Sequence, residues 1–168
     1  MKRISRVVTL MIAAAMMSCS AVSCQKIDKP DFADAPYIKI NDEFYNASLF
    51  NFFDNDEDEG IYYSICDNTS DTKSRLWMSV PYAYCNDKTW DITTIQMTST
   101  CDFRIEMRTD SGVETAFARS FKSGTFKAFT TGSTLTIEID AETNKGTKLE
   151  VKCINVKGKG GPYVIPIY

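Results

Sequence analysis

The 168-residue chain contains no histidine. That absence excludes a Ser-His-Asp triad, a Cys-His pair, an HExxH zinc site, a Cys2His2 finger and a histidine pH switch. A Cys-x-x-Cys step is also missing, which excludes the thioredoxin-like centre and the zinc ribbon. Cys66, Cys85, Cys101 and Cys153 are spaced by 19, 16 and 52 positions, which matches no zinc-ligand pattern. Nowhere is there the run of about 20 apolar residues that a membrane-spanning helix needs. Ser123-Gly124-Thr125 lacks the G-x-S-x-G frame of a nucleophile elbow, and Lys159-Gly160-Gly161 lacks a P-loop pattern. No spacing sets two carboxylates in the arrangement a glycosidase uses. The expectation is a protein that is not an enzyme, with a carboxylate-based hydrolase as the distant alternative.

What is present begins with an address. Lys2, Arg3 and Arg6 precede the apolar stretch Val7–Met17, and small residues follow at Ser18, Ser20, Ala21 and Ser23. That is the layout of a secretory signal peptide. The cleavage region resembles the lipobox of bacterial lipoproteins, in which a small residue precedes the cysteine that receives lipid. Cys24, after Ala21-Val22-Ser23, and Cys19, after Met16-Met17-Ser18, both qualify. Cys24 leaves four cysteines behind it and Cys19 leaves five. The even count suits an exported protein, so Cys24 is the expected attachment site. The resemblance implies residues 1–23 as signal, a lipid anchor holding the chain at a membrane, and a place in the cell envelope. The rival reading is an ordinary cleaved secretory peptide.

Residues 1–23 hold three basic and no acidic groups, so 16 basic and 22 acidic residues remain after them, a net charge of −6. That balance argues against nucleic acid as a partner, since phosphate binding needs a basic surface. Residues 24–35, polar and with Pro30, read as a flexible tether. Their start, Cys24-Gln25-Lys26-Ile27-Asp28, resembles the export signals of Bacteroidetes surface lipoproteins, which implies an outer-membrane lipoprotein facing either the cell surface or the periplasm.

Residues 36–168 read as one all-β domain. Ile38 to Ile40 alternates, Glu43 to Phe53 is rich in aromatics, and Ile61 to Cys66 is strand-like in composition. Leu76, Met78, Val80 and Tyr82 fall on one face, with Pro81 suggesting an edge or a bulge. Asp91 to Thr98 carries Ile92, Ile95 and Met97. Cys101 to Arg108 alternates apolar and charged residues. The same alternation returns at Leu135, Ile137 and Ile139, and at Leu149, Val151 and Cys153. Asp110-Ser111-Gly112 and Thr143–Gly146 read as turns. Tyr163 to Tyr168 would be a closing strand. The expected fold is an antiparallel β-sandwich of about 8–10 strands, a barrel-like closure being the alternative. Residues 112–123 could instead be a short helix, because Ser111 and Glu114 match a capping box. The need of Arg104–Thr109 for a hairpin partner favours a strand.

From Phe121 to Tyr168, the step Phe121-Lys122-Ser123-Gly124-Thr125 followed by alternating strands resembles small all-β lipoproteins of Bacteroidetes. The resemblance implies a β-sandwich in the envelope and transfers no functional residue.

Three groups of residues are candidates for a role. The four cysteines could form two disulfides, and shared strand faces suggest Cys101–Cys153 with Cys66–Cys85. Asp54, Asp56 and Asp58, at alternate positions, could wrap oxygens around Ca2+. The EF-hand frame fails there, with Gly60 one place late and Ile65 where the closing Glu belongs, so a solvated acidic loop is the plainer reading. Trp77, Trp90, Tyr62 and Tyr84 could form an aromatic platform for sugar rings, or could fill the core. The expected function is non-enzymatic binding or accessory work with a glycan or an envelope protein. The alternative is a structural or adhesive subunit that pairs through edge strands.

Overall fold

A computed structural model describes residues 35–66 and 74–160, all within one compact unit, Asp31–Tyr168. The expected signal, Cys24 and the tether up to residue 34 lie outside the described residues, as does the expected closing strand Tyr163–Tyr168. Among the described residues twelve strands, more than the sequence suggests, build two six-stranded sheets.

The first sheet contains β1 (Tyr37–Ile40), β2 (Glu43–Asn46), β6 (Trp90–Asp91), β9 (Phe121–Thr131), β10 (Thr134–Thr143) and β11 (Lys148–Lys157). Their order is β2-β1-β11-β10-β9-β6. The second sheet contains β3 (Leu49–Asn55), β4 (Gly60–Cys66), β5 (Leu76–Pro81), β7 (Arg104–Thr109), β8 (Gly112–Phe117) and β12 (Lys159–Gly160). Their order is β12-β3-β4-β5-β7-β8. Every pairing is antiparallel except that of β12 with β3. Neither sheet closes into a barrel.

Alternation places Ile38, Ile139, Val151 and Phe126 of the first sheet in one buried cluster with Tyr63, Met78, Ile105 and Met107 of the second. The two inner faces thus make a single core between two layers. β5 lies between β4 and β7 and is buried on both faces. Pro81 is tolerated there because it is the last residue of the strand, where its missing N–H ends the ladder without a bulge.

Residues 112–123 are not a helix. β8 supplies the hairpin partner of β7, through Thr109 opposite Gly112, and only the 3-10 turn Ala118–Ser120 separates β8 from β9. Asp91 to Thr98 departs from the strand reading. The Asp91 carboxylate accepts from the Thr93 backbone N–H at 2.9 Å and the Thr93 hydroxyl at 2.7 Å. Those bonds hold the Asp91 carboxyl below its usual range and end β6 in the 3-10 turn Ile92–Thr94. Ile92 and Ile95 are both buried, a spacing of three residues that suits a turn better than a strand.

Candidate functional site

The register of the first sheet aligns one residue from each of six strands into a single row on the outer face. Phe44 stands opposite Lys39, Lys39 opposite Glu150, Glu150 opposite Asp140, Asp140 opposite Thr125, and Thr125 opposite Asp91. A groove of about 570 Å3 opens over the middle of this row, with Ser123, Glu142 and Lys148 extending its floor. That volume falls within the range of small-molecule sites, roughly 300–1,000 Å3.

Each side chain has a defined setting. The Tyr37 hydroxyl donates to Glu150, and burial, followed by that hydrogen bond, pushes the hydroxyl up to about 12. Glu142 accepts from the Lys122 ammonium at 3.1 Å. The Lys39 ammonium lies 5.0 Å from the centre of the Phe44 ring, and Phe44 packs on Tyr37 with centroids 5.9 Å apart. Asp140 is exposed and has no ion-pair or hydrogen-bond partner among the described residues. Two carboxylates directly opposite on neighbouring strands repel one another, so Asp140 facing Glu150 works against the sheet. Acceptors at Asp140 and Glu150, hydroxyls at Ser123 and Thr125, and the lysine donors suit a ligand rich in hydroxyl groups. Phe44 and Tyr37 offer flat apolar surface at the end of the row.

Gly124 sets the depth of this floor. Its φ is +141°, and a Cβ there would overlap the Asp140 carbonyl oxygen and the Ala141 Cα and Cβ. Only glycine lets β9 come so close to β10 at this point.

Compared with known proteins, the chain matches no family model, no curated protein and no solved structure. The residues themselves therefore carry the functional argument.

The candidates read from the sequence fall elsewhere. The four aromatic residues form two pairs rather than one platform. Tyr62 and Trp77 lie on the outer face of the second sheet, with ring centroids 5.7 Å apart. Trp77 is only 4% exposed, and the Arg104 guanidinium covers its ring at 4.5 Å. Tyr84 and Trp90 meet edge to face at 5.0 Å and pack against the core.

The three aspartates are divided between tyrosines. Tyr82 donates to Asp54 and to Asp56, whereas Asp58 accepts from Asn55 and Tyr62. Among the described residues, no group of three or more His, Cys, Asp or Glu side chains could hold a metal ion.

Cys66, Cys85, Cys101 and Cys153 form no disulfide with one another, and the expected pairs do not meet. Cys66 ends β4, opposite Leu49. The Cys85 sulfur lies 3.5 Å from the Val80 and Pro81 carbonyl oxygens of β5, which stand opposite Ile61 and Gly60 at the other end of β4. Five residues of strand, ~17 Å, separate the two, whereas a bridge requires Cα atoms within about 7 Å. Cys153 is in the core between the sheets. Cys101 contacts the Ser79 hydroxyl at 3.3 Å, on the face of β5 opposite Met78 and Val80. The inward reading of Cys101 fails because residues 101–103 precede β7, so strand alternation does not run through them. Burial pushes the Cys85 and Cys153 thiols up to about 12, which makes both poor nucleophiles.

The groove was missed from sequence because its row draws on residues up to 111 positions apart. The one local signal was the Ser123-Gly124-Thr125 step, whose glycine shapes the floor and whose hydroxyls line it.

Proposed function

We propose that this chain is a lipid-anchored envelope protein, attached through Cys24, that binds a glycan along the outer face of its first sheet without turning it over. The observation that carries this reading is the pair of facing carboxylates, Asp140 and Glu150, on the floor of the groove. The fold does not need that pair, and it is placed to accept hydrogen bonds from sugar hydroxyls. Binding is preferred to hydrolysis because Asp140 stands in solvent on an open floor lined mainly by polar residues. The signal-like N-terminus and the resemblance to Bacteroidetes lipoproteins support the envelope location.

A glycan array probed with the purified chain should give hits. Asp140→Ala should weaken them about 10-fold or more, as expected for loss of a hydrogen bond to a charged acceptor. An array without hits, or hits indifferent to that substitution, would reject the reading. Anchoring is tested separately. In a bacterial host the native chain should partition with membranes and carry lipid mass at Cys24, and Cys24→Ser should move it to the soluble fraction. A native chain found in the soluble fraction would remove the anchor. Assembly through edge strands is the second reading, and the open edge of the second sheet favours it.

A further inference from the structure

Among the described residues, β8 ends the second sheet with one side unpaired. Natural sheet edges are commonly blunted by lysine, proline, bulges or short length. β8 has none of these. It is six residues long, contains no lysine or proline, and keeps an unbroken register with β7, and its one charged residue, Glu114, accepts a hydrogen bond from the Thr147 hydroxyl at 2.7 Å. The other edges differ. β2 is only four residues long, β3 carries β12, and β9 is partly covered by β6 and by Asp87, which holds Lys127 at 2.6 Å.

The direction of the free backbone groups follows from one hydrogen bond. The Phe117 N–H turns away from β7 and donates to the Ser120 hydroxyl at 3.2 Å. Antiparallel pairs alternate between bonded and unbonded positions, so the backbone groups of Thr115 and Val113 also face outward. Val113 is 46% exposed.

A hollow lies at each end of this edge. One, of about 270 Å3, has Ile40 and Met107 at its floor, Val113 at its side and a polar rim of Asn41, Thr109, Ser111, Glu114 and Thr147. The other, of about 240 Å3, opens over Ile95 and Phe103 beside Phe117 and Ala118, with Met97 on its rim. Between them the inward residue is Ala116, which is fully buried and small. Glu114 in β8 and Ala118, which begins the following 3-10 turn and packs against the core, are four residues apart and border the two hollows. Each hollow has room for one apolar side chain. On the outward side, Arg108 has a buried Nε without a hydrogen-bond partner. Arg119 lies over the Phe117 ring and has no carboxylate partner among the described residues.

We propose that β8 is a strand-addition site for an extended segment of a partner protein. The segment is apolar at two inward positions four residues apart, small between them, and acidic where it passes Arg108 and Arg119. Main-chain hydrogen bonds to Val113 and Thr115 supply affinity, and the two hollows set register. This surface shares only Asn41 with the groove and uses neither Asp140 nor Glu150, so it stands or falls independently of the glycan reading.

The probe is the synthetic peptide Asp-Leu-Asp-Ala-Asp-Phe-Asp, titrated into the full chain. Its control has the same composition with Leu, Ala and Phe made consecutive. The alternating peptide should bind about tenfold more tightly than the control and shift the backbone amide signals of Val113 and Thr115. Thr115→Pro removes only an outward N–H, so it should leave thermal stability nearly unchanged and weaken the peptide about tenfold. Arg108→Glu should weaken it as well, without depending on the backbone change. No binding, equal binding of the two peptides, or binding unaffected by both substitutions would overturn the proposal. So would a dimer in sedimentation that Thr115→Pro abolishes, because a second copy would then occupy the edge.

Discussion

Replacing Phe126 with alanine is expected to destabilise the domain by about 3–5 kcal/mol. Phe126 is fully buried in β9, and its ring meets that of Phe103 edge to face, with centroids 5.0 Å apart. Phe103 lies just before β7, so this contact joins the two layers of the sandwich. Truncation would leave a cavity in a core that cannot collapse into it without moving a sheet, and it would also remove the aromatic pair, about 0.5–1.5 kcal/mol beyond its buried area. Against the 5–15 kcal/mol by which domains are usually stable, roughly, that is a large share. Urea unfolding followed by tryptophan fluorescence measures it. Met97→Ala, at a side chain 59% exposed, is the matched control; it should change stability by no more than about 0.5 kcal/mol. A loss below about 1 kcal/mol for Phe126→Ala would contradict its place at the centre of the core.

Gly124→Ala should come close to that effect, at about 2–4 kcal/mol, through a different cause. No apolar surface is lost. The added methyl group must occupy space already taken by the Asp140 carbonyl and by Ala141, on a backbone whose φ disfavours any side chain. β9 and β10 must separate, and Thr125 moves off Asp140 with them. A thermal melt reads the stability change. Glycan binding by whatever fraction stays folded should fall as well, because the groove floor is rebuilt. Gly112→Ala, at a similar φ of +151° with nothing within 4 Å, isolates the cost of the backbone from that of the collision.

The strands were legible where one face of the chain is buried and the other is wet. Ile105 and Met107, Leu135 to Ile139, and Leu149 to Cys153 all point inward, as their alternation indicates. Legibility ended where a short-range polar contact overrode that pattern, as Asp91 does by bonding to Thr93. It also ended where alternation was carried past the end of a strand, as at Cys101. The site was hidden for a further reason. Which residue of β10 stands beside which residue of β11 or β1 depends on register, and register is a property of the assembled sheet. Trp77 and Trp90 drew attention by residue type, whereas Asp140, Glu150 and Thr125 are ordinary until six strands align them.

The pairing of β1 with β11 has a consequence for the order of folding. Tyr37 stands opposite Lys152, so the first strand finds its central neighbour only after more than 100 intervening residues exist. β9, β10 and β11 can form a meander by local pairing, but β1 and β2 must wait for that meander before joining the sheet. Contacts so distant along the chain make folding slow, in the millisecond-to-second range typical of all-β domains. A ribosome making this chain therefore releases β1 and β2 long before the sheet they join, whereas β3, β4, β5, β7 and β8 can pair as they emerge. The first two strands wait, unable to join their sheet, until nearly the whole chain has been synthesised.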